Sequence, residues 1–170
     1  TSAAATGSTA DIAFAQLMIP HHQQAVQMAE LAITNASSPD VQKLAEQIKA
    51  AQDPEIQAME SWLANWGVGD QMQGMDASAA AKGGMGGMDM GGMSASGMMT
   101  QQDLDKLAKT TGADFDRMWL QMMIAHHQGA VTMAQQILDT TSNPDVQKLA
   151  QAVVDGQTTE IDTMQQLLAA

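Results

Sequence analysis

The chain repeats itself at one fixed distance, and that repetition limits its folds more than any other feature. His21-His22 and His126-His127, Pro39 and Pro144, and Met59 and Met164 all lie 105 positions apart. At the same offset Thr6-Gly7 matches Thr111-Gly112, Asp11 matches Asp116 and Phe14 matches Trp119. The run Pro39-Asp40-Val41-Gln42-Lys43-Leu44-Ala45 returns unchanged as Pro144-Asp145-Val146-Gln147-Lys148-Leu149-Ala150. Two copies of one unit therefore make up the ordered protein.

Each unit reads as a helical hairpin. Phe14, Leu17, Met18, Ala25, Met28, Ala29 and Ala32 recur at the three- and four-residue spacing of an amphipathic helix, which predicts a first helix from Thr9 to Asn35. Pro20 removes a backbone donor just before the first His pair and is expected to kink or loosen that helix, whereas Ala125 in the second copy is not. The second helix of each unit starts at Ser38-Pro39-Asp40 or Asn143-Pro144-Asp145, a cap, an N1 proline and an acid that favours the positive helix end. It should reach Trp66 in the first unit, and pass Gly156 to the C-terminus in the second. Thr100-Gln101-Gln102-Asp103 opens a short helix to about Lys109. Short loops make paired helices antiparallel neighbours. No alternating β-branched run predicts a strand.

The expected organisation is a disordered segment at 1–8, a first hairpin at 9–66, a flexible linker at 67–99, and a short helix plus second hairpin at 100–170. Glycine, alanine and serine dominate the linker. It nonetheless holds eight of the sixteen methionines, including Met85, Met88, Met90 and Met93. Thioethers two or three residues apart could capture a soft ion, and the rival reading is a tether whose methionines scavenge oxidants.

With 19 acidic and 7 basic residues the formal charge is −12, which repels phosphate backbones and anionic headgroups. Nucleic acid is not an expected partner. The absence of cysteine rules out disulfides, thiolate metal sites and thiol nucleophiles, so any soft ligand must be methionine. No apolar run approaches the ~20 residues that span a bilayer. The small polar beginning, without an initiator methionine, resembles what a trimmed leader leaves, and suggests an extracytoplasmic protein: periplasmic, secreted or lipoprotein-anchored.

All four histidines lie in the two pairs. At about 100° per residue, Met18, His21, His22, Ala25 and Met28 share an arc of roughly 120°. The second copy offers Met123, His126, His127 and Met133, with Met122 as an extra candidate. Imidazole and thioether suit copper(I) and silver(I), while copper(II) also accepts imidazole and carboxylate. The opposing reading is a packed core in which methionine fills gaps and histidines are satisfied by hydrogen bonds. Adjacent residues point about 100° apart, so one member of each pair can be a ligand while the other is not. Asp11 and Asp116 could start helices, orient an imidazole from behind, or act as hard ligands.

Met99-Thr100, Leu107, Gly112, Phe115-Asp116 and the run Met123-Ile124-Ala125-His126-His127-Gln128-Gly129-Ala130-Val131-Thr132-Met133-Ala134 resemble the exported family known as domain of unknown function 305. The likeness covers the second unit and the first from about Asp11 to Trp66. It implies a ferritin-like, all-α four-helix bundle and, from the family's characterised copper-binding members, copper binding or export with silver as a surrogate. By position it implies Met18, His21, His22 and Met28, then Met123, His126, His127 and Met133, as ligands. The first copy departs from the pattern at Ala10 and Pro20.

The expectation is a copper-binding chaperone, buffer or resistance factor without turnover, whose partners are metal ions and a copper donor or acceptor protein. A non-catalytic structural or interaction module of the cell envelope, with buried histidines, is the alternative. A ferritin-like di-metal oxidase would need inward glutamates and Glu-x-x-His motifs, yet Met18 and Met123 stand three residues before His21 and His126.

Overall fold

The computed structural model describes residues 6–68 and 96–170, so Met85, Met88, Met90 and Met93 lie outside the described residues. It contains α1 (Thr9–Asn35), α2 (Pro39–Asn65), the short α3 (Gln101–Lys109), α4 (Gly112–Leu138) and α5 (Pro144–Ala169). The four long helices form a ferritin-like bundle of two duplicated hairpins. α1 packs chiefly on α2 and α4 on α5, while α1 and α4 meet across the centre.

Local chemistry sets the boundaries. Ser8 caps α1 in a reciprocal box with Asp11, and Thr100 caps α3 in the same way with Asp103. Asn143 Oδ1 accepts from the Asp145 and Val146 amides at the start of α5. Ser38 occupies the matching position before α2 but makes no side-chain cap bond; its own N–H donates to Asp116 instead. Gly67, at φ 75°, follows Trp66 and turns the chain out of α2. The expected loosening at Pro20 does not break α1, which continues through it to Asn35. One missing hydrogen bond is outweighed by the buried contacts of Met18, His21 and His22 on either side.

The core falls into two apolar clusters. In the first, Met28, Ala29 and Ala32 of α1 meet Leu44 and Ile48 of α2, Leu107 of α3, Phe115, Trp119 and Met123 of α4, and Met164 of α5. In the second, Phe14 and Met18 of α1 meet Met59 and Leu63 of α2, Ala130 and Ile137 of α4, and Val146 and Val153 of α5. The late half of α1 thus packs with the early half of α4, and the early half with the late. The two central helices are antiparallel, and both His pairs fall where one cluster gives way to the other.

Asp11 and Asp116 tie the hairpins together. Asp11 Oδ1 accepts from Thr141 Oγ1 in the α4–α5 loop at 2.6 Å, and Asp116 accepts from the Ser37 amide, the Ser37 hydroxyl and the Ser38 amide in the α1–α2 loop. Each repeat clasps the other's loop. Burial opposes the Asp11 charge, but the bonds from Thr141 and Ser8 hold its pKa below the ordinary value. Asp116→Ala strips three donors of a charged acceptor and is expected to cost on the order of 3 kcal/mol, measured as a lower urea midpoint at unchanged m-value.

Candidate metal centre

His21 and His126 come from equivalent turns of α1 and α4 and meet at the centre of the bundle, ring centroids 3.8 Å apart and planes 35° to each other. Antiparallel packing of duplicated helices places equivalent residues opposite each other at one level only, and here that level is the His pair. Both rings are buried, as are His22 and His127.

The hydrogen bonds distinguish the four rings. His21 Nε2 donates to the Ser96 carbonyl at 2.8 Å. A carbonyl can only accept, so that nitrogen carries the proton and Nδ1 of the neutral ring presents its lone pair. His22 Nε2 lies 2.8 Å from Glu55 Oε2, and His127 Nε2 lies 2.6 Å from Glu160 Oε2, one carboxylate from the second helix of each hairpin. His126 differs: among the described residues neither of its nitrogens has a partner, and Nδ1 of each of the other three rings is also buried without one. Burial pushes the His21 pKa down to about 3 against the opposing pull of the Ser96 carbonyl. Burial, reinforced by the neighbouring imidazoles, likewise holds His126 well below its ordinary value. Both are neutral at pH 7, the state in which imidazole binds metals.

The methionines divide by level. Met18 and Met123, each one turn before its axial histidine, are fully buried, the first in one cluster and the second in the other. They flank the ring pair from opposite sides. Met28 and Met133 are seven residues beyond their histidines, about 10 Å of helix rise. The Met28 carbonyl accepts from the Trp119 indole at 2.8 Å, and Met133 is half-buried against the second cluster. Met122 is buried in the first cluster, whereas its counterpart Leu17 is 59 % exposed, so that position is not a repeated inward one.

Asp11 and Asp116 serve the loops described above; the carboxylates that meet imidazoles are Glu55 and Glu160. Sequence reasoning passed over both, along with Gln52 and Gln157, which are buried one turn earlier with both amide atoms unpartnered. The signal was present, since Glu55 and Glu160, and Gln52 and Gln157, obey the 105-residue offset. Also unforeseen is the strap Ser96–Met99, assigned from composition to the linker. Met99 is 4 % exposed, its amide donates to Gln24 Oε1 at 2.7 Å, and its carbonyl accepts from Gln24 Nε2 at 2.9 Å.

Among the described residues, no three histidine, aspartate or glutamate side chains are gathered to hold a metal ion. A di-metal carboxylate centre needs several such groups together, and here Glu55 and Glu160 each meet a single imidazole. The donors that are brought together are two imidazoles with a thioether one turn away on each side.

Residues 11–168 match the family described as domain of unknown function (DUF305). A DUF305 fragment from Deinococcus radiodurans is 28 % identical over 95 % of this chain and 97 % of its own, with a TM-score of 0.79. A DUF305 protein from Streptomyces coelicolor, described as secreted, is 30 % identical over 94 % of this chain and 92 % of its own, with a TM-score of 0.77. CopM in its Cu(II)-bound form is 33 % identical over 94 % of this chain and 95 % of its own, with a TM-score of 0.71, and CopM has also been solved with Cu(I) and with Ag. Curated protein sequences give no match.

Proposed function

The chain belongs to the DUF305 family, and from that premise we propose that it is a copper-binding protein that holds copper(I) between His21 and His126, with the Met18 and Met123 thioethers beside them. The observation that carries this reading is the axial ring pair itself. Three of its four nitrogens are buried without a hydrogen-bond partner, next to apolar clusters in which a neutral polar atom costs on the order of 1–3 kcal/mol if nothing binds it. Soft monovalent copper or silver accepts two imidazoles and thioethers and does not require the carboxylate set that a hard ion would. The Cu(I)-, Cu(II)- and Ag-bound states of CopM support the same chemistry. The role is that of a chaperone, buffer or resistance factor, without turnover, acting outside the cytoplasm as the secreted relative suggests.

His22 and His127, engaged with Glu55 and Glu160, are supporting residues in this reading and not the first ligands. A silver(I)-soaked crystal examined by anomalous scattering tests it: the strongest peak is expected between the His21 and His126 rings. A peak at the His22–Glu55 or His127–Glu160 pair, with none on the axis, would move the site to the wrong histidines.

A further inference from the structure

We propose that the strap Ser96–Met99 fixes which atom of His21 faces the metal and makes the two axial histidines unequal, His126 being the anchor and His21 joining through Nδ1. The inference rests on the copper reading above and deepens it.

A single strand of chain lying over two equivalent helices cannot treat both alike. It crosses α4 at van der Waals distance: a Cβ on Gly129 would stand 1.8 Å from the Ser96 carbonyl oxygen, and one on Gly97, at φ 73°, would stand 2.2 Å from the Ala125 carbonyl oxygen. On α1 the position equivalent to Gly129 is Gln24, whose amide grips the Met99 backbone through both its oxygen and its nitrogen. The duplicated helices thus differ where the strap needs them to differ, one supplying a clamp and the other a gap. Held in that register, Ser96 presents its carbonyl to His21 Nε2, while His126 keeps both nitrogens unpartnered.

The chemical consequence follows from donor count. His21 Nε2–H is occupied by the carbonyl, so only Nδ1 can ligate without breaking a buried hydrogen bond. A neutral imidazole with one N–H held by a backbone carbonyl is also oriented and made a better donor at its other nitrogen. Ser96 and Gln24 are therefore positioning residues. His126 has no such restraint and can turn either nitrogen toward the ion.

Gly129→Ala tests the strap with one methyl group, in a helix that alanine otherwise favours. Gln24→Ala provides a second variant that removes the clamp without adding bulk. Long-range ¹H–¹⁵N spectra of the metal-free full chain should show His21 as the Nε2–H tautomer, and both variants should lose that single tautomer while circular dichroism stays helical. On titration with silver(I), the parent should show the ligation shift at His21 Nδ1, with Nε2 keeping its proton. Silver affinity should fall about 10- to 100-fold in both variants, the usual cost of losing a partner behind a metal-binding imidazole. An unchanged His21 tautomer in the variants overturns the strap's role even if silver binds. Ligation at His21 Nε2, or equal or tighter silver binding in the variants, overturns the donor assignment. If silver shifts no imidazole nitrogen in the parent, the copper reading falls and the donor assignment with it, an outcome distinct from a tautomer result in the metal-free protein.

Discussion

Replacing His126 by leucine is expected to make the metal-free protein more stable and to abolish its response to silver(I). His126 is buried, stacked on His21 at 3.8 Å, and leaves both ring nitrogens without partners. An apolar side chain of similar bulk removes those orphaned groups, which is worth roughly 1–3 kcal/mol, against a smaller loss of ring contact of about 1 kcal/mol. Most core substitutions destabilise, so a gain here is diagnostic of a residue kept for something other than packing. In the parent, free silver at a hundred times its dissociation constant should add about 2.7 kcal/mol, and in His126→Leu it should add nothing at this site. The stability order of the two proteins would then reverse when metal is added. Urea unfolding with and without silver(I) measures all four values. A leucine variant that is less stable without metal and still gains on adding silver would favour the structural reading of the histidines.

The fold was legible because duplication, caps and helical periodicity are local or self-referring signals. The Gln101 start follows from the Thr100-to-Asp103 box read in the sequence, and the Thr9 start, read there from periodicity, is fixed in the structure by the Ser8–Asp11 box. The site was legible only in part. Periodicity reports which residues share a face but not which share a level, so Met28 looked equivalent to Met18 although it stands two turns from the ring pair, at the level of Trp119. It also could not show that α1 and α4 lie back to back, which is what makes His21 and His126 the central pair and leaves His22 and His127 to Glu55 and Glu160. Asp11 and Asp116 look alike in sequence as helix-start acids, yet their partners lie 130 and 79 residues away, in loops that only the assembled bundle brings near. The strap was hidden most deeply. Glycine-rich composition reads as a tether, and the features that hold Ser96–Met99 are a distant glutamine and two close backbone approaches, neither of which has a period.

Acid should unfold the metal-free protein through its axial histidines, and the sign follows from their lowered pKa values. His21 titrates at about 3 in the folded chain and near its ordinary 6.5 in the unfolded one; His126 is depressed in the same direction by burial. Between these limits the unfolded state binds more protons than the folded state, so stability is full above about pH 6.5 and declines as the pH falls toward 3. Each proton contributes about 1.4 kcal/mol per pH unit, giving a slope of about 2.7 kcal/mol per unit where both rings are involved. Against a domain stability of roughly 5–15 kcal/mol, that slope is enough to bring unfolding into the mildly acidic range. Asp11, whose pKa is lowered, adds its own loss only below the ordinary carboxylate value. His126→Leu should halve the slope between pH 6 and 5, which urea titrations at half-unit intervals would resolve; an unchanged slope would place the titrating groups elsewhere. The same burial has a functional consequence. Because His21 stays neutral at pH 5 while the chain is folded and burial lowers the His126 pKa in the same direction, silver(I) affinity at the axis should change less between pH 7 and 5 than that of an exposed imidazole site, which would weaken as its ligands protonate near 6.5. A site that keeps its metal through that interval is one whose donors are held neutral by the bundle around them.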